Sequence, residues 1–115
     1  MKAKEMMDKE FVYVSKDDTI EDVSIKMEEF RRFTAPVLDE NMKLEGWITS
    51  FNITKGLREG KKTIADVMSP VEEIMTIGEN EPARNVVIAA SNQKLISIPI
   101  MNDENQVIGV TRSVD

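Results

Sequence analysis

Two pairs of residues in this chain have the types and spacing to act on a ligand: Thr49 with Asn52, and Arg112 with Asp115, 63 residues further on. An amide or carboxylate oxygen can accept the hydrogens of a cis-diol, and a hydroxyl at the start of a helix can join exposed backbone N–H groups around an anion. The same threonine is equally suited to capping the helix that follows, for about 0.5 to 2 kcal/mol. The carboxylate pairs Asp17-Asp18 and Glu28-Glu29 fall at a helix cap and on a polar helical face, and make no acid-base dyad. With no histidine and no cysteine, the commonest general base, the commonest metal ligand and the thiolate nucleophile are all missing. No catalytic residue and no metal site is expected.

The elements that must position these pairs come twice. APVLDENMKLEGW at 35–47 matches IPIMNDENQVIGV at 98–110, so that Pro36 pairs with Pro99 and Gly46 with Gly109. The same offset of 63 superimposes Val14 on Ile77, Ile20 on Ala83 and Val23 on Val86. Upstream, AKEMM at 3–7 matches IADVM at 64–68 with an offset of 61, which leaves two extra residues near Ser69 to Glu73 to be absorbed by a loop. A chain of 115 residues with 41% hydrophobic and 31% charged residues folds as a globular protein, and two halves this small are expected to fold together.

Each copy reads as β-α-β-β-α. Phe11 to Val14 and Glu73 to Ile77 are short β-prone segments. Asp18 or Thr19 caps a helix whose apolar face is Ile20, Val23, Met27 and Phe30. In the second copy Pro82 opens the helix, and Ala83, Val86, Val87 and Ala90 form the face. Ala35 to Leu38 and Leu44 to Thr49 form a hairpin across DENMK, and Ile96 to Met101 and Val107 to Thr111 form another across NDENQ. Phe51 to Glu59 is a short helix stopped by Gly60. The fold class is therefore α/β (α+β), two β-α-β-β-α repeats packed as a pseudo-twofold pair, with repeat 1 at 1–60 and repeat 2 at 61–115. The second copy stops at Asp115, where its closing helix should begin, so the chain reads as a fragment with an effector domain downstream.

The segments AKEMMD and IADVMS, DDTIEDV and NEPARNV, TAPVLDENMKLEGWITSFNI, and ISIPIMNDENQVIGVTRSVD resemble, in order and spacing, the tandem cystathionine-beta-synthase (CBS) domain pair, or Bateman module, over nearly the whole chain. The resemblance implies a regulatory pair that binds AMP, ADP, ATP, S-adenosylmethionine, NAD or a related adenosyl ligand in clefts between the repeats, and that often dimerises into a flat disc. It assigns ribose contact to Asn52, ribose or phosphate contact to Thr49, and adenine contact to Val12 and Val37, with Trp47 close by. In copy two the threonine position is Arg112 and the ribose position is Asp115. There Arg112 would either bind phosphate or fill the cleft, or its ion pair with Asp115 would mimic a ligand and leave that cleft weak or empty. Basic residues that in several family members stand three before the proline are here Phe33 and Ile96, which leaves Arg31, Arg32, Lys55, Arg58 and Lys94 as substitutes for binding phosphate.

The expected partners are a small adenosyl ligand, a second copy of the chain and an unidentified effector. A net charge of -6 with no long basic run argues against nucleic acid. No apolar run approaches the roughly 18 to 20 residues that span a bilayer, and the charged start is unlike a secretory signal, which points to the cytoplasm. The competing expectation is a ligand-free dimerisation or interaction module with degenerate clefts.

Overall fold

The structure, a computed structural model, describes residues 1–93 and 97–111, and for Gln93 the backbone alone. Among the described residues it is a mixed α/β fold with three α-helices and two sheets. The chain divides into two compact units: a continuous one, Val12–Ile74, and a split one that joins Met1–Phe11 to Met75–Asp115.

In the continuous unit, helices α1 (Ile20–Glu29) and α2 (Ser50–Arg58) accompany strands β2 (Thr34–Leu38), β3 (Leu44–Thr49) and β4 (Ser69–Pro70), ordered β2-β3-β4 and antiparallel throughout. The expected first strand reduces to one parallel bridge, Val14 to Val37. Thr19 caps α1 by accepting the N–H of Asp22, while Asp18 accepts the N–H of Ser15. Ile20, Val23 and Met27 are buried in a core with Val37, Ile48, Ile53 and Ile64. Phe30, expected on that buried face, is 58% exposed instead: it is the C-cap of α1, where the chain has left the helical path that would turn it inward.

In the split unit, β1 (Met7–Asp8), β5 (Ile77–Gly78), β6 (Pro99–Met101) and β7 (Val107–Thr111) form a sheet ordered β1-β7-β6-β5, with α3 (Ala83–Gln93) beside it. Ala3, Met7, Ile77, Val86, Ile98 and Ile100 make its core. Val87 is 42% exposed, since one residue after the buried Val86 it is turned about 100° round the helix. Arg112, Asp115, Lys94 and Ile96 lie outside the described residues.

Each repeat thus lends its opening segment to the unit that holds the other repeat's hairpin. Met7 and Asp8 pair with Thr111 and Val110, whereas Ser69 and Pro70 pair with Trp47 and Gly46. The backbone bonds correspond one for one. Ile20 N–H donates to Lys62 and Ile64 N–H to Asp18 in one unit; Ala83 N–H donates to Met1 and Ala3 N–H to Glu81 in the other. The repeated glycines make room for this. A Cβ on Gly46 would stand 2.6 Å from Met68 Sδ and 2.9 Å from the Ser69 carbonyl, and one on Gly109 would stand 2.6 Å from Met7 Sδ and 2.8 Å from the Asp8 carbonyl. The two extra residues of the second copy are taken up where a 3-10 turn, Val71–Glu73, follows β4.

Candidate functional site

The hairpin β2-β3 delivers its last residue, Thr49, to the N-cap of α2, opposite Thr34. There Thr49 and Asn52 close a reciprocal box. Asn52 N–H donates to Thr49 Oγ1 at 3.1 Å, and Asn52 Oδ1 accepts both the Thr49 N–H and the Thr49 hydroxyl at 2.9 Å. The backbone N–H can only donate, so the amide must turn its oxygen toward the cap and its nitrogen away. The oxygen expected to accept a diol is therefore committed to the helix, and the group Asn52 has to offer is its NH₂. No buried side-chain N or O atom among the described residues lacks a partner, and Asn52 Nδ2 has none, so that nitrogen reaches the surface.

The other expected contacts lie in the same unit. Val12 is half-buried against its core. Trp47, also half-buried, is paired between Pro36 and Ser69 in the sheet. Val37 is fully enclosed: its side chain is in the core and its backbone is flanked by Gly46 on one side and Val14 on the other, so it can back a site but presents no surface of its own. Phe33 is exposed, and its carbonyl accepts the N–H of Ser50. Arg32 lines a cavity of about 270 Å³ between α1 and α2, with Ser24, Ser50, Ile53 and Thr54. At 100° per residue that groove is roughly on the opposite face of α2 from Asn52.

A second cavity, of about 630 Å³, is lined by the segment from Tyr13 to Asp18, by Lys26 and by the tip of the β2-β3 hairpin. Its two lysines are engaged: Lys16 stands 3.7 Å from Glu45, and Lys26 donates to the Tyr13 carbonyl at 3.0 Å with its ammonium 5.7 Å from that ring's centre. Among the described residues no group of three or more acidic, histidine or cysteine side chains could hold a metal ion. Nor is any described helix long and apolar enough to cross a membrane.

With an exchanged pair of β-α-β-β units and a threonine-amide pair at the helix start, the fold and site define a class, the tandem CBS domain pair, and the chain belongs to the CBS domain family. Residues 3–59 match the family's CBS domain. Over its whole length the chain is 31% identical to CBS domain-containing protein MJ0729 of Methanocaldococcus jannaschii, spanning 91% of that protein. It is also 38% identical, over its whole length, to protein MJ1004 of the same organism, of which it spans 54%. The crystal structure of MJ1004 superposes with a TM-score of 0.88 at 37% identity, covering 97% of this chain and 55% of that one. The CBS domain pair of protein MJ0100, crystallised with 5′-methylthioadenosine and S-adenosyl-L-methionine, superposes with a TM-score of 0.84 at 28% identity, covering 98% of this chain and 90% of that one.

Proposed function

We propose that this chain is a regulatory, non-catalytic CBS pair that binds an adenosyl ligand of the AMP, ADP, ATP, S-adenosylmethionine or NAD class, and passes its occupancy to an attached or separate effector. One observation carries the reading: Thr49 and Asn52 stand together at the start of α2 in a chain similar over 98% of its length to a pair crystallised with two adenosyl compounds. Val12 and Trp47 flank the site in this reading and Val37 backs it. The sequence repeats, 1–60 and 61–115, remain the evolutionary units, while Arg112 and Asp115 would mark the weaker, second position. Calorimetry and thermal shift with AMP, ATP, S-adenosylmethionine and NAD test it. At a hundredfold excess over the dissociation constant a ligand adds about 2.7 kcal/mol, which moves the melting point by several degrees. No heat and no shift with any of the four at millimolar concentration would sink the reading.

The pair is proposed to act as a homodimer through its helical faces. Ile25 of α1 and Ile88 of α3 hold the same position in the two repeats and both are exposed, as are Phe51 and Leu57 of α2. A monomer by light scattering at high micromolar concentration contradicts this. The same exposed residues also favour the second reading, a ligand-free interaction module, as does a box whose hydroxyl and amide oxygen are spent on the cap. An oligomer unchanged by Asn52→Ala, with adenosyl binding lost, supports the sensor; no ligand effect in either protein supports the interaction module.

A further inference from the structure

We infer that two copies of the chain meet through the continuous unit, with the acidic face of α1 in each copy seated on the basic face of α2 in the other. The inference rests on the homodimer proposed above and decides which faces pair.

Each of the two helices carries an exposed apolar residue among charges of one sign. On α1, Ile25 is 54% exposed, and the residues three and four positions to either side of it are Glu21, Asp22, Glu28 and Glu29. Those positions are its neighbours on the helix surface, so carboxylates ring it. The one cation of α1, Lys26, is turned to the Tyr13 carbonyl instead. On α2, Phe51 is 83% exposed, and Lys55 and Arg58 follow it one and two turns along the same face. No acidic residue lies within that helix. All six of these charged side chains are exposed and none is in an ion pair, the one ion pair among the described residues being Lys16 with Glu45.

The two faces flank one groove. At 100° per residue the order round each helix is the same, from core to groove to open face: Met27, then Ser24 and Glu28, then Ile25 on α1; Ile53, then Ser50 and Thr54, then Phe51 on α2. A twofold axis through that groove lays α1 of each copy over α2 of the other, so that both contacts form together. The other pairings fail on charge. Placing α1 on α1 brings both sets of carboxylates together, placing α2 on α2 does the same with the cations, and like charges across an interface count against it. The exposed Val87 and Ile88 of α3 offer an apolar surface, but Arg84 is the only charged residue of that helix and can answer one carboxylate of the four.

The test is sedimentation equilibrium of the full chain without ligand, in the wild type and three charge-reversed variants, with thermal melts to confirm folding. One variant combines Lys55→Glu with Arg58→Glu, the second combines Glu28→Lys with Glu29→Lys, and the third carries all four changes. Each two-residue variant should raise the dissociation constant of the dimer about tenfold or more, and the four-residue variant, which restores opposite signs across the interface, should return it to within about threefold of the wild type. Glu28→Lys with Glu29→Lys makes an acidic chain less negative, so overall charge repulsion would tighten its dimer. A dimer tightened or unchanged in that variant means that α1 does not meet α2, and overturns the proposal. So does a dimer unchanged by Lys55→Glu with Arg58→Glu, or a four-residue variant that recovers nothing, as damage to folding would give. If the wild type is a monomer at high micromolar concentration, the homodimer reading itself has failed and takes this one with it.

Discussion

The two hairpins of this chain make the same turn with different residues, and the two glycines behind them make the same contact with the same residue. In each turn an acidic or amide side chain, Asp39 or Asn102, accepts the N–H groups two and four residues on, and the fourth residue takes a left-handed conformation. That residue is Met42 with φ 65 in one unit and Asn105 with φ 62 in the other. Behind the turns, Gly46 and Gly109 each face a methionine and a backbone carbonyl of the exchanged segment at nearly identical distances. The helix ends drift like the turns: Gly60 closes α2 at φ 72, but Arg31 stands in the matching place after α1 at φ 54. A poor residue in a local turn costs about 1 kcal/mol and is tolerated. A side chain at the close approach would push a whole strand off its neighbour, and there the two units agree.

Removing the exchanged segment should have the largest effect, and it should fall on the far repeat. Ala3 and Met7 are buried in the core of the split unit, and β1 is bonded to β7. A chain lacking residues 1–9 should therefore lose hydrogen-exchange protection in β6 and β7 before it loses any in β2 and β3. If β2 and β3, which belong to the same sequence repeat as the deleted residues, open first, the exchange does not organise the stability of the pair.

Next in size are the glycines. Gly46→Ala and Gly109→Ala each place a methyl group where a thioether could swing away but a backbone carbonyl cannot, and overpacking of this kind costs about 1 to 3 kcal/mol. Urea unfolding should show both losses, alike to within about 1 kcal/mol. A neutral result at one site alone would mean that the matching distances hide unequal room to adjust.

The sequence shows half of this comparison plainly. Strands β3 and β7 fall where the alternation of apolar residues ahead of and behind a glycine places them, Leu44 to Thr49 and Val107 to Thr111. The change of offset from 63 to 61 marks the place of the extra 3-10 turn. Periodicity failed where one residue decides the outcome: Phe30 lies one step past the last turn of α1, and Val87 one step round from Val86. The exchange itself is not legible, because two-residue segments such as Met7–Asp8 and Ser69–Pro70 carry no pattern that names their pairing partner. At the site, Thr49 and Asn52 can be picked out by type and spacing, yet which amide atom faces outward depends on a hydrogen bond that composition does not reveal.

Swapping the turn residues should sharpen the comparison by a smaller step. Met42→Asn should stabilise the protein by about 1 kcal/mol, and Asn105→Met should destabilise it by a similar amount, since asparagine accepts the left-handed region and an unbranched apolar side chain does not. Thermal denaturation would register either as a shift of several degrees. Changes of the same sign in both variants would show that side-chain contacts, not backbone conformation, govern these turns.

The smallest effect separates the two capping boxes of the continuous unit. An amide, Asn52, closes the box at Thr49, and a carboxylate closes the one at Thr63, whose N–H and hydroxyl reach Asp66 Oδ2 at 3.3 and 3.2 Å. The backbone N–H of Thr63, then its hydroxyl, holds the Asp66 carboxyl below the ordinary aspartate value of 3.8. With the folded value the lower of the two, the unfolded chain binds the proton more readily. The contribution of Asp66 is then complete above 3.8 and is lost as pH falls through the lower, folded value. Asp66 is exposed, so water screens the charge and the contribution is small. Wild type should be more stable than Asp66→Asn at neutral pH, and urea melts taken down an acid series should show the difference shrinking below the ordinary aspartate value. Asn52→Asp should introduce the same acid-side dependence at the Thr49 box, where the wild type has no titrating group. A difference that stays constant at every pH would mean that the Thr63 box is held by its geometry, as the Thr49 box is, with charge adding nothing.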